Sequence, residues 1–216
     1  MPDRVRKGFN FLAPFYDTGV RMVFGKSLLR CQKHFIPQTG HYRSVLILGG
    51  GAGELLCSLD FKTTRSCCYL DISEKMIALA RSRMEKENPA LLPRINFIRG
   101  TVADLPGGAS FDLIITPFVL DCMLPGMLAG VMDTLSGRLE KKGKWLLSDF
   151  NIPDKRGHFP ARLFLKLLYA GFNLICGLGV SRLPDFRKLF AGQPLRLLDS
   201  QTFCRGLLIS SMYERL

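Results

Sequence analysis

At 216 residues and 47% hydrophobic content, the chain suits one α/β domain with a sizeable core and needs no second domain. Its opening, Met1-Pro2-Asp3-Arg4-Val5-Arg6-Lys7, lacks the apolar stretch of a secretory leader, and its seven cysteines include no Cys-x-x-Cys pair, so reduced thiols in a cytoplasm are expected. The net charge of +12 sits wholly in the flanks: residues 1–43 carry 8 basic and 2 acidic side chains, 154–216 carry 10 and 4, and 44–153 carry 12 of each. Basic flanks favour an anionic substrate, an anionic lipid surface or nucleic acid, with a solvated, solubilising surface as the plain alternative.

Along the chain, Val20, Val23, Phe24, Leu28, Cys31 and Phe35 recur at helical spacing. Gly25 interrupts them and Pro37 ends them, which predicts one or two amphipathic helices packed on the core. Cys31-Gln-Lys-His34 has no second pair to complete a metal site. Val45–Leu48 is a continuous apolar run, as in a parallel strand buried on both faces, and Gly49-Gly50-Gly51-Ala52-Gly53-Glu54 follows as a glycine-packed turn. Leu55 and Leu56 are expected to begin a helix whose N-terminus faces a nucleotide-like ligand. Glu54 stands where the dinucleotide fingerprint requires its third glycine, which argues against a plain NAD site.

A second strand over Cys67–Leu70 ends in Asp71, 20 positions beyond Gly51, where a carboxylate would meet a ribose diol. Ser73 can cap a helix carrying Met76, Leu79, Ala80 and Arg83 on one face. Strands at 95–98, 111–116 and 144–149 alternate with helical stretches, which calls for a doubly wound, Rossmann-like parallel sheet. Phe159–Phe190 is strongly apolar, but Lys166 and Asn173 break the run before the roughly 20 residues of a membrane span. It reads as a lid on the core, a dimer interface, or a surface meeting lipid with Arg156, Arg162 and Lys166 at its polar edge. Leu195–Leu198 and Gly206–Tyr213 are the last strands.

In the order of these motifs, from about Phe9 to Asp149, the chain resembles the class I S-adenosylmethionine (SAM) dependent methyltransferases. VLILGGGAG is similar to the first family motif, LDISEKMIALAR to the second, FIRGTVADLP to the third, FDLIITPFVL to the fourth, and KWLLSDF to the fifth strand. The opening Phe11-Leu12-Ala13-Pro14-Phe15-Tyr16-Asp17 is similar to a short signature of the ubiquinone and menaquinone C-methyltransferase group. The resemblance implies a seven-stranded, mostly parallel sheet with an antiparallel edge. It divides the chain into an N-terminal helical lid (1–43), a cofactor core (44–153), a substrate cap (154–190) and C-terminal strands (191–216).

By the same resemblance, Gly49, Gly51 and Gly53 would shape the pocket for the methionine part of SAM, and Asp71 would hold both ribose hydroxyls. Ile72 and Met76 would flank the adenine, with Val102 at its edge and Thr101 beside its amine. The turn at Thr116 would offer backbone to the methionine amino group, and Tyr16 would close over the cofactor. Ile47 and Thr101 stand where the family commonly has acids; the Thr101 hydroxyl or Asp104 would have to substitute.

Methyl transfer needs alignment and exclusion of water, and a base only where the acceptor must lose a proton. His34, His41, His158, Tyr16, Tyr169 and Asp121 are the candidates, none with a partner fixed by spacing. The fourth strand ends Thr116-Pro117-Phe118-Val119, without the Asn/Asp-Pro-Pro-aromatic pattern of many base and glutamine methylases, which disfavours nucleic acid. The preferred reading is a methyltransferase for a small hydrophobic or anionic acceptor, quinone-like or lipid-like, with contact to an anionic membrane weighed. The alternatives are an enzyme using NAD or decarboxylated SAM, and a non-catalytic SAM-fold protein that binds a partner or membrane through its cap.

Overall fold

The computed structural model describes residues 3–152, 159–180 and 182–216, without the side chains of residues 16–18, 20, 21 and 159–161. Strands β1 (Ser44–Leu48), β2 (Ser66–Asp71), β3 (Ile95–Arg99), β4 (Phe111–Pro117) and β5 (Leu139–Phe150) run parallel. Antiparallel β7 (Leu208–Arg215) inserts between β5 and β6 (Leu195–Phe203), giving one seven-stranded sheet in the order β3-β2-β1-β4-β5-β7-β6. The strand order reverses beside β1. The crevice beyond the C-terminal ends of β1 and β4 is therefore the switch point at which such sheets bind ligands.

Apolar runs in the strands feed two layers of core, because successive side chains point to opposite faces. Ile47, Tyr69, Leu113 and Ile115 pack on one face with Phe35, Leu55 and Met84. Leu46, Leu48, Leu70, Ile114 and Trp145 pack on the other with Met132 and Leu135. The second face is covered by α4 (Pro125–Arg138) and α6 (Phe186–Ala191). The first receives α3 (Glu74–Glu87), whose start is capped by Ser73 accepting from the Met76 amide at 3.2 Å. On α3, Met76, Ala80 and Met84 are buried, whereas Leu79, expected on the same face, is exposed.

The N-terminal segment forms α1 (Asp3–Phe24) and α2 (Ser27–Lys33), broken at Gly25. After β5, α5 (Phe159–Cys176) packs against α1, with Phe9 near Phe172 at 6.4 Å and Phe24 near Phe164 at 5.8 Å between ring centres. Residue numbers rise along α1 as they fall along α5, so the two helices are antiparallel. His158 and Arg156 lie outside the described residues. Among the described residues no helix is long and apolar enough to cross a membrane.

Three expectations change. No α-helix follows the glycine turn: Leu56–Ser58 is a single 3₁₀ turn, and Leu59 is already extended. An Asx-type turn wins there, since Asp60 accepts from the Lys62 amide at 2.9 Å while its own amide donates to the Tyr42 hydroxyl. β5 starts five residues early, because Leu139 pairs with Phe111 across a bulge before the main register resumes. β6 extends to Phe203 although most of it is exposed, so no apolar alternation marked it.

Thr116 sits inside β4, fully buried, and its hydroxyl accepts from the Trp145 indole N–H at 3.0 Å. Thr116→Val would strand that N–H in the core, and we expect a loss of about 1–3 kcal/mol in urea unfolding. The native fold should be retained, with the near-ultraviolet circular dichroism of the wild type.

Candidate active site

Where β1 ends, Gly49 turns the chain with φ +70°, and its amide donates to the Leu70 carbonyl of β2 at 2.8 Å. A Cβ at Gly49 would collide with Val119, and one at Gly53, φ +86°, would lie 2.8 Å from the Ala80 Cα of α3. Glycine is required at both positions by backbone angle and by contact. The loop is tied to β2 from two sides. Tyr69 donates its hydroxyl to the Gly51 carbonyl at 2.8 Å, and the Gly51 amide donates to Asp71 at 3.3 Å.

Asp71 also accepts from the Ser73 amide at 2.9 Å. Burial pushes its pKa up to about 6, with the Ser73 and Gly51 amides opposing the rise. Ser73 in turn donates its hydroxyl to the Asn10 side-chain carbonyl at 2.6 Å, which fastens α1 over the loop. Ala13 of α1 packs there against Ala52 and Met76.

These elements enclose a cavity of about 780 Å³ including its mouth. Gly49, Gly51, Asp71, Ile72, Met76, Thr101 and Val102 all line it, so seven residues singled out in the sequence come together. Gly53 supports the loop from behind, and Thr116 lies in the strand, the turn beginning two residues later at Phe118. Tyr16 falls within α1, but its side chain is not among those described. Ile47 faces the opposite core layer. Asp104 does not line the cavity; it accepts from the Thr101 amide at 2.8 Å and the Thr101 hydroxyl at 3.1 Å, closing a capping box.

The sequence reading missed Phe9, Phe118, Val119, Cys122, Met123 and Met127, which complete the walls. Phe118 carries the clearest signal, but only in the structure: its φ is +52°, an uncommon conformation for a bulky residue and one that concentrates at functional sites. Its amide donates to the Ser148 carbonyl at 2.7 Å, and its ring packs edge-on to Phe150 at 5.3 Å, which together hold the strained turn.

Behind this wall lie two buried acids, Asp121 and Asp149, each with one oxygen that has no hydrogen-bond partner among the described residues. Tyr169 of α5 donates to Asp121 at 3.0 Å, and the Phe150 amide donates to Asp149 at 2.8 Å. Burial raises both carboxyls, Asp149 well above the usual range, and the neighbouring Asp121 charge raises it further. The two carboxyls therefore resist ionising together, and Tyr169 joins Asp121 from the cap. Of the other base candidates, His34 packs against Phe35 and Phe203, away from the cavity, and His41 lies in a surface depression with Arg43 and Arg65.

Residues 45–143 match the methyltransferase domain family. The comparison with curated proteins gives no match. Among solved structures, the N-methyltransferase NodS from Bradyrhizobium japonicum in complex with S-adenosylhomocysteine superposes with a TM-score of 0.63 at 13% identity over 99% of each chain. The 1,6-didemethyltoxoflavin-N1-methyltransferase of Burkholderia thailandensis gives 0.68 at 16% identity over 96% of this chain and 86% of that one. A chain from the complex of the Haloferax volcanii Trm112 methyltransferase activator with a methyltransferase gives 0.71 at 14% identity, covering 97% and 98%. At these identities the likeness is one of fold.

The sheet order and the glycine turn define a Rossmann-like fold of the methyltransferase kind. The methyltransferase domain matched over residues 45–143, together with the fold, supports a SAM-dependent methyltransferase with S-adenosylmethionine as its cofactor. The non-catalytic reading and the readings with NAD or decarboxylated SAM are not favoured.

Two measurements follow. Protonated Asp149 contributes stability that is fully present below the ordinary carboxylate range and is lost as pH rises toward its raised value, by up to about 1.4 kcal/mol per pH unit. Asp149→Asn should therefore melt progressively higher than the wild type as pH increases; a constant gap would mean that the Asp149 pKa is not raised in the folded protein. Asp71 should bind SAM as the carboxylate, so affinity measured by calorimetry should weaken as pH falls through about 6. Asp71→Asn should show a roughly 10- to 150-fold weaker and nearly pH-independent affinity, the equivalent of a lost charge-assisted bond.

Proposed function

We propose that the protein methylates a small hydrophobic aromatic acceptor, of quinone-like kind, held between the turn after β4 and the lid formed by α1 and α5. The observation that carries this reading is the strained Phe118. It lines the cofactor cavity and also joins an aromatic cluster with Phe24, Phe150 and Phe164 beneath the two helices. An apolar acceptor seated there would adjoin the cofactor. The similarity of Phe11–Asp17 to the quinone C-methyltransferase signature adds to the reading, as does the absence of an Asn/Asp-Pro-Pro-aromatic turn.

The residue roles we assign are those the family resemblance implies, and the lining of the cavity supports them. Gly49 and Gly51 bring backbone close to the methionine part of SAM, Asp71 accepts from the ribose hydroxyls, and Ile72, Met76 and Val102 enclose the adenine. Bound SAM supplies an electrophilic methyl group on a sulfonium. The chain itself then has to align the acceptor and exclude water, which an apolar wall and a fastened helical lid accomplish. Tyr169 is the polar tip of the cluster. With its own hydrogen donated to Asp121, its oxygen is placed to accept from an acceptor hydroxyl, and the acids behind it are the reservoir for any proton given up.

The test is methyl transfer from labelled SAM to a panel of quinols and phenols, with hydrophilic amines and transfer RNA alongside. Turnover of the aromatic compounds is expected, and Tyr169→Phe and Phe164→Ala should each lower kcat/KM about tenfold or more while SAM affinity is retained. Transfer confined to amines or RNA would overturn the assignment.

A further inference from the structure

The lid helices carry their most exposed apolar side chains in matching stripes. On α1, Phe11 and Phe15 are each 65% exposed and Met22 is 82% exposed. On α5, Leu163 is 45%, Leu167 64% and Leu174 80% exposed. The spacing in each set is four residues and then seven, one outward face of an α-helix. The inward faces are already used. Val5, Ala13, Leu165, Tyr169 and Cys176 are buried, and Gly8 lets α1 approach the Cys176 backbone so closely that no side chain fits between them. The two stripes thus lie on neighbouring antiparallel helices at the surface. A single exposed leucine needs no explanation, but a patch of this kind marks an interaction surface.

Charge selects the occupant. Arg162 and Lys166 are exposed beside the α5 stripe and α5 contains no Asp or Glu, while at the start of α1 Arg4 and Lys7 are exposed, Lys7 pairing with Asp3 at 3.1 Å. A second copy docking by a two-fold axis would bring like cations together, since the same patch faces itself. A surface of negative headgroups over an apolar interior matches both the stripe and its cationic border. We propose that the α1–α5 face docks the protein peripherally on an anionic lipid bilayer. The inference deepens the reading of a hydrophobic acceptor, because the same helices that would meet lipid also roof the aromatic cluster. An acceptor dissolved in the bilayer would then enter without crossing water.

Flotation of the full chain with vesicles tests this directly, using phosphatidylcholine alone and an equal mixture of phosphatidylcholine and phosphatidylglycerol. Binding should require the anionic mixture and fall with added salt. Arg162→Glu/Lys166→Glu should lower the partition coefficient by roughly tenfold or more. Leu167→Ser/Leu174→Ser and Phe11→Ser/Phe15→Ser should lower it comparably, and SAM binding in each variant serves as the control for folding. Indifference to headgroup charge, or variants that bind like the wild type, would overturn the proposal. So would concentration-dependent self-association without lipid that the same variants abolish, because the stripe would then be a dimer surface. Loss of the lipid result with methyl transfer to aromatic acceptors intact would remove the docking face and leave the acceptor assignment standing.

Discussion

Asp71 is the constraint on which the site depends. Burying a carboxylate opposes ionisation, and here two backbone amides, of Gly51 and Ser73, recover part of that cost without cancelling it. Those two bonds also fix the geometry. The first holds the glycine loop against β2. The second sets the residue that caps α3, and that residue's hydroxyl reaches Asn10 and fastens α1. Strand end, loop, helix start and lid are therefore coupled through one acid, and the apolar walls are assembled around it.

Much of this was legible in the sequence because local and global preferences agree there. Val45–Leu48 and Phe111–Thr116 are apolar runs that make sense only as strands buried on both faces, and Ser73 precedes a helical pattern as a cap should. Asp71 was legible from its position at a strand end. The errors fall where local preferences conflict. Leu55, Leu56 and Leu59 have helical spacing, yet Asp60 and Tyr42 draw the following backbone into a turn, and the hydrophobic residues are buried without an α-helix. The part of β6 over residues 199–203 is mostly polar and exposed and exists because β7 offers it a ladder, a fact about tertiary structure that no pattern within those residues contains.

The cavity walls contributed by the chain after β4 were hidden for a related reason. Phe118, Val119, Cys122 and Met123 read as ordinary core residues, since periodicity distinguishes apolar from polar and not cavity from core. Only the left-handed backbone of Phe118 separates it from a packing residue. The buried acids were equally unreadable: Asp121 and Asp149 are 28 residues apart, and their meeting with Tyr169 depends on β4, β5 and α5 converging.

That convergence bears on why this site takes a sulfonium ligand although Ile47 and Thr101 stand where acids are common. The switch-point end of the sheet gathers Asp71 in the cavity wall and the Asp121–Asp149 pair behind it, while the residues lining the cavity include no Lys or Arg. Buried carboxylates without a cation are costly, and their field in a weakly polarisable interior extends beyond direct contact. A ligand carrying a sulfonium and an ammonium offsets that field, whereas a pyrophosphate would add to it. The basic excess of the chain lies elsewhere, on the flanks. Acidic and basic groups are thus sorted by position: carboxyl groups at the buried end of the sheet, basic residues on the flanks.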